Sequence, residues 1–137
     1  KGGPSYLNDK IIQVSGTKKV DQSLFATGFP YYDYPLIHEY MELFEHLMRN
    51  SHGVRRLGTA AMDLAYVACG RYDGFYEYGL HAWDVAAGTL IVQNAGGLNV
   101  DFSGGKEYLF GKEIISINAQ LSEEFIELIR KFFNKSS

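Results

Sequence analysis

Disulfide stapling is excluded at the outset, because the 137 residues contain one cysteine, Cys69. A lone thiol has no partner within the chain, and this one falls inside an apolar helical pattern. A buried core must therefore hold the fold, and a reducing cytoplasm suits it. Basic charge is also scarce: 13 Lys and Arg stand against 16 Asp and Glu, a net charge of −3. With no basic face, a nucleic-acid backbone is a poor partner. No apolar run approaches the roughly 18 residues a membrane-spanning helix needs. The opening Lys-Gly-Gly-Pro-Ser-Tyr lacks the pattern of a signal peptide. Nor is there a Gly-rich nucleotide fingerprint, a zinc-ligand spacing or a nucleophile elbow.

What is abundant is apolar and aromatic surface. Hydrophobic residues make up 46% and aromatics 15%, with ten Tyr and nine Phe. That balance and length fit one soluble domain with a real core. Gly2-Gly3-Pro4 reads as a turn, followed by a short strand and a second turn through Asn8-Asp9-Lys10. Nothing precedes that first strand for it to pair with, and Lys1 is not an initiator Met. The expectation is a hairpin entered halfway, in a chain cut from something longer. Strands are expected over 11–14, 23–29, 54–57, 74–78, 98–102 and 114–117. Helices are expected over 35–50, 59–69 and 84–94, with a last one capped by Ser122. In the first helix Leu36, Ile37, Tyr40, Met41, Phe44, Leu47 and Met48 recur at helical spacing; in the second Ala60, Ala61, Leu64, Ala65 and Ala68 do the packing. Leu121 and Ile126 have the spacing of a hydrophobic staple. From residue 23 onward strands and helices alternate, the signature of a layered α/β domain. Residues 1–22 read as an antiparallel segment apart from it.

Two places carry function-like residues. In Glu77-Tyr78-Gly79-Leu80-His81-Ala82-Trp83-Asp84-Val85-Ala86-Ala87-Gly88, Asp84 stands where a strand and loop give way to a helix start. Such crevices beyond the strand ends of an α/β sheet collect ligands. Asp84 has two readings there: a helix N-cap, or a ligand for Mg²⁺, which takes carboxylate oxygens together with waters and phosphate. Glu77 is either an exposed strand-end charge or an acceptor for polyol hydroxyls. His81 and Trp83 are expected to pack the loop. The second place is Gly58-Thr59-Ala60, a strand-to-helix junction where free N–H groups attract anions or hydroxyls. It is equally readable as a tight turn. Arg55 and Arg56 precede it, and alternation lets only one of them face a given side.

The stretch from Arg55 to Gly97 resembles the C-terminal signature region of the inositol monophosphatase family. The family form Trp-Asp-x-Ala-Ala-Gly, then an apolar run and Gly-Gly, is matched by Trp83-Asp84-Val85-Ala86-Ala87-Gly88 and Ala95-Gly96-Gly97. Ser5 to Ser15 also looks like the strand-turn-strand that precedes that region, so the resemblance covers nearly the whole chain. It implies a layered α/β lobe of the inositol monophosphatase and fructose-bisphosphatase type over residues 23–137, with residues 1–22 a remnant of an antiparallel sheet. It further implies that Asp84 binds a catalytic Mg²⁺, that Glu77 holds substrate hydroxyls, and that Gly58, Thr59 and Ala60 line the substrate. The reaction implied is hydrolysis of a phosphate monoester by metal-activated water, with sensitivity to Li⁺ and pairing as a homodimer. The family's other metal ligands lie on a glutamate-rich segment and an Asp-Pro-x-Asp-Gly-Thr motif, and neither occurs here. The expectation is thus a C-terminal part that lacks the N-terminal half of its active site and is inactive alone. Two alternatives stand beside it: a non-catalytic α/β association module, and a related sugar or nucleotide phosphatase.

Overall fold

The computed structural model describes residues 3–28, 35–56, 59–110 and 112–133. A hairpin opens the chain: β1 (Ser5–Leu7) pairs antiparallel with β2 (Lys10–Ile12). Asn8 and Asp9 form its turn, with φ of 52° and 67°. Two successive positive φ values match the turn twist to the strand twist, and Asn and Asp tolerate them best after Gly. The first strand thus pairs with the strand that follows it, as the strand-turn-strand reading of Ser5 to Ser15 expects, and the turn is short enough for β2 to fold straight back.

The main sheet has five strands in the order β4-β3-β5-β7-β6. β3 (Leu24–Thr27) lies between β4 (Gly53–Arg55) and β5 (Gly74–Tyr78), parallel to both. β7 (Glu113–Asn118) runs antiparallel to β5 and to β6 (Gly97–Val100). The layered α/β architecture read from the sequence is the one observed. Neighbouring residues split between two cores, as strand alternation demands. Phe25, Tyr76 and Ile115 join one cluster, while Ala26, Phe75 and Ile114 join the other. The first cluster is covered by α1 (Ile37–Asn50) and α4 (Ser122–Phe133), the second by α2 (Ala60–Ala68) and α3 (Ala82–Asn94).

The helices differ in kind. α4 buries Phe125, Ile129 and Phe133, four residues apart, and turns Glu123, Glu124, Glu127, Arg130 and Lys131 away from the deepest layer. α1 begins at Ile37, two residues later than expected, and its deepest stripe is Tyr40, Leu43 and Leu47. Met41 and Met48, expected inside, are 42% and 54% exposed. In α2 the buried residues are Asp63, Leu64, Val67 and Ala68, with Ala61 outside. α2 and α3 press together at Gly88, where an added Cβ would lie 2.5 Å from Leu64 Cδ1. The final glycine of the Trp-Asp-Val-Ala-Ala-Gly run is thus a packing requirement. At the start of α4 the expected Ser122 cap is replaced. Asn118 Oδ1 accepts from the Leu121 N–H at 2.8 Å, and Ser122 Oγ donates to the Ala119 carbonyl instead. Leu121 is fully buried, and Ile126 packs against the same cluster.

Residues 13–20 are stitched to the main sheet. The Val14 N–H donates to the Ala95 carbonyl at 3.0 Å. Ser15 Oγ donates to Asp73 Oδ1 at 2.5 Å and accepts from Asn118 Nδ2 at 2.8 Å. Val20 belongs to the first core. Among the described residues no helix is long and apolar enough to cross a membrane.

Candidate active site

The three parallel strands end together, and the connections leave β3 and β4 towards opposite faces of the sheet. α1 follows β3 on one side, and α2 follows β4 on the other. Such a divergence opens a crevice at the carboxyl ends of the strands. Gly28 follows β3, Thr59 caps α2, Glu77 is the penultimate residue of β5, and Asp84 sits in the first turn of α3.

Glu77 is the centre of this arrangement. It shares a face of β5 with Phe75, so its side chain enters the space under α2 and α3 and is half-buried. Its carboxyl fills the ground above the Gly28 Cα. A Cβ on Gly28 would stand 2.5 Å from Glu77 Cδ, Oε1 and Oε2. Gly28 is itself fixed from behind. Its carbonyl accepts from the Tyr40 hydroxyl at 2.5 Å, and Tyr40 Oη lies 2.7 Å from Thr27 Oγ1. Thr27 Oγ1 reaches the Tyr76 carbonyl at 2.7 Å, which ties the ends of β3 and β5 together. Burial pushes the Glu77 carboxyl up to about 7, the charges of Asp63 and Asp84 add to the rise, and the Arg56 guanidinium opposes it. No described residue donates a hydrogen bond to the Glu77 carboxyl.

Asp84 is exposed and occupies the third position of α3, not the cap position weighed from the sequence. His81 is the cap residue. Asp84 Oδ2 accepts from the His81 N–H at 2.9 Å, and the Asp84 N–H donates to the His81 carbonyl at 2.9 Å. The carboxylate so placed meets the positive end of the helix dipole. His81 and Trp83 stack on each other, ring centres 4.3 Å apart and 11° from parallel. They pack mutually and not into the loop, because Trp83 is 78% exposed. Thr59 caps α2 as expected, accepting from the Met62 N–H at 3.3 Å, and Ala60 begins the helix half-buried. Gly58 lies outside the described residues. Arg55 and Arg56 are both exposed. Among the described residues no group of three or more His, Cys, Asp or Glu side chains is placed to hold a metal.

Two members of this site were not singled out in the sequence. Gly28 was visible only as the end of an apolar segment, since nothing local announces a distant carboxylate above it. Asp63 had a signal: it is the one charge in Ala60–Ala68, and it lies one turn from Val67 on the stripe that must be buried. It is 1% exposed, and its Oδ1 has no hydrogen-bond partner among the described residues. A surface groove of about 510 Å³ opens elsewhere, between β2 and the α3–β6 turn, and is lined by Ile11, Val14, Ser15, Asn94 and Gly96.

The fold and site together define a layered α/β domain with an acidic crevice at its strand ends. Residues 1–133 match the family model described as the inositol monophosphatase family, and the chain belongs to that family. It is 42% identical over 132 residues to the Nus factor SuhB of Pseudomonas aeruginosa, covering 95% of this chain and 49% of that protein. It is 37% identical over 131 residues to an inositol-1-monophosphatase of Mesorhizobium japonicum, covering 96% and 49%. The crystal structure of the extragenic suppressor protein SuhB from Bartonella henselae superposes with a TM-score of 0.82 at 37% identity, over 96% of this chain and 49% of that one. The chain spans about half the length of the curated relatives it matches.

Proposed function

We propose that this chain forms the substrate-recognising side of a magnesium-dependent phosphomonoesterase that hydrolyses a phosphate ester of a polyol. The observation that carries the reading is Glu77. It is a carboxyl set near the end of β5, walled by Gly28 and without a hydrogen-bond donor among the described residues, which leaves it acceptor capacity for a ligand. When ionised it accepts from two neighbouring ring hydroxyls. Thr59, Ala60 and Gly58 line the same substrate with backbone groups. Residues 1–22 belong with an antiparallel sheet of the longer polypeptide.

Asp84 fits a hard cation. It is exposed, its Oδ2 is held by the His81 N–H, and its other oxygen has no partner among the described residues. Mg²⁺ binds through one or two carboxylates with waters and phosphate completing its shell. Bound there, the ion would polarise the phosphate and supply an activated water. The described residues offer it no group of three or more His, Cys, Asp or Glu side chains. Further ligands must come from the half of the relatives' length that this chain does not span, and the chain alone is inactive. An association role for the same domain is the second reading, favoured by the name Nus factor carried by the Pseudomonas relative.

The test compares kcat/KM for a ring polyol phosphate and a simple aryl phosphate in the longer polypeptide and its Glu77→Gln variant. Loss of charge-assisted bonds should cost the polyol ester roughly 1.5–3 kcal/mol and the aryl ester far less. Equal losses on both would remove Glu77 from substrate reading. Absence of turnover in the unaltered polypeptide would favour the association reading.

A further inference from the structure

Asp63 is expensive where it stands. Burying a carboxylate without a hydrogen-bond partner opposes folding, and proteins keep such groups where something other than stability requires them. Its Oδ1 has no hydrogen-bond partner among the described residues, and the whole residue is 1% exposed. It lies on the buried face of α2 beside Leu64, which packs in one cluster with Phe75, the residue that shares a face of β5 with Glu77. Of the charges that raise Glu77, that of Asp63 acts most strongly, ahead of Asp84, and Arg56 alone among the charges acts against them. Burial also pushes Asp63 itself up to about 6.

We propose that Asp63 is a positioning residue that keeps the Glu77 carboxyl turned onto Gly28 and free of internal hydrogen bonds. An acceptor-only neighbour does two things a neutral polar residue would not. It repels Glu77 away from α2, towards Gly28. It also withholds the N–H or O–H that would otherwise satisfy Glu77 within the protein. A carboxyl so deprived binds whichever donors a ligand brings, which makes Asp63 a determinant of specificity that never touches the ligand. The inference rests on Glu77 as the reader of hydroxyls proposed above.

The experiment pairs Asp63→Asn with Asp63→Leu. The first supplies an N–H donor in the same volume; the second removes the charge and supplies none. Each should raise the Tm of this chain, by about 3–4 °C for each kcal/mol of relieved burial cost. In the longer polypeptide, Asp63→Asn should raise KM for the ring polyol phosphate about 3–10-fold, the equivalent of one competing internal hydrogen bond. Its kcat, and its KM for the aryl phosphate, should hold. Asp63→Leu should raise the polyol KM less, because it gives Glu77 nothing to bind. A fall in Tm for both variants would overturn the inference, since it would mean that Asp63 has a stabilising partner. An unchanged polyol KM in Asp63→Asn, while Glu77→Gln still separates the two substrates, would overturn it as well. If Glu77→Gln itself fails to separate them, the polyol reading falls, and the Tm pair still decides whether Asp63 is held at a cost.

Discussion

Replacing Gly28 by alanine tests the geometry of the site without touching any charge. The new Cβ would stand 2.5 Å from three atoms of the Glu77 carboxyl group, a distance at which something must move. The group that must move is the far end of a flexible side chain with solvent on one side, so displacement costs little. An off-rotamer Glu77 costs about 0.5–1.5 kcal/mol. Gly28 has no positive φ, so alanine fits the backbone and recovers about 0.4–1 kcal/mol by narrowing the unfolded ensemble. The two nearly cancel. At about 2.1 cal/mol/K of unfolding entropy per residue, 1 kcal/mol moves the Tm of a 137-residue chain by about 3–4 °C. Gly28→Ala should therefore leave Tm within about 4 °C of the parent. Its signature should be in Glu77, whose carboxyl is driven outward into water. A carbon-detected NMR titration should find Glu77 near 7 in the parent and lower in the variant, towards the ordinary value of 4.5. A Tm loss above about 10 °C, or an unmoved Glu77 titration, would refute the contact.

Gly88→Ala should behave differently, because its Cβ would meet Leu64 Cβ and Cδ1 inside a packed helix interface. There the overpacking cost of about 1–3 kcal/mol should appear in full as a lowered urea midpoint. Stability should also depend on pH in a stated direction. Glu77 and Asp63 are raised from 4.5 and 3.8 to about 7 and 6, so their contribution is complete in acid and is lost as pH rises through those values. His46, lowered by burial and by Lys131, acts in the opposite sense near its own titration. In a His46→Gln background, the urea midpoint should be higher at pH 5 than at pH 8, and a flat profile would count against the buried acids. Asp84→Asn should abolish magnesium-dependent turnover in the longer polypeptide while shifting Tm by less than about 3 °C, since most of the capping contact survives. A near-normal rate at saturating magnesium would remove Asp84 from the metal.

Among the described residues, sequence periodicity located each strand of the main sheet and each α-helix, because each buried face repeats at the period of its own backbone. β5 was legible to the residue, since Phe75 and Tyr76 supply opposite cores and Gly74 marks its entry. Helix ends were less legible. Capping depends on which of several polar groups reaches a free N–H, so His81 and Asn118 took places expected of Asp84 and Ser122. Pairing between distant residues was not legible at all. Nothing near Gly28 in the chain reports that Glu77 will lie against it, 49 residues on, nor that Tyr40 and Thr27 will hold its carbonyl. Asp63 stood in plain view as a charge on an apolar stripe, yet its meaning needed the neighbour across the layer.

The alternation of β5 has a consequence for how this site can change. Phe75 and Glu77 are successive rungs of one ladder, the lower sealed in the core and the upper at the rim of the crevice. Exchanging the upper rung leaves every contact of the lower one in place. On the proposed role of Glu77, selection could therefore retune which alcohol is accepted by substitution at a single rim position, while the sheet beneath continues to fold as before.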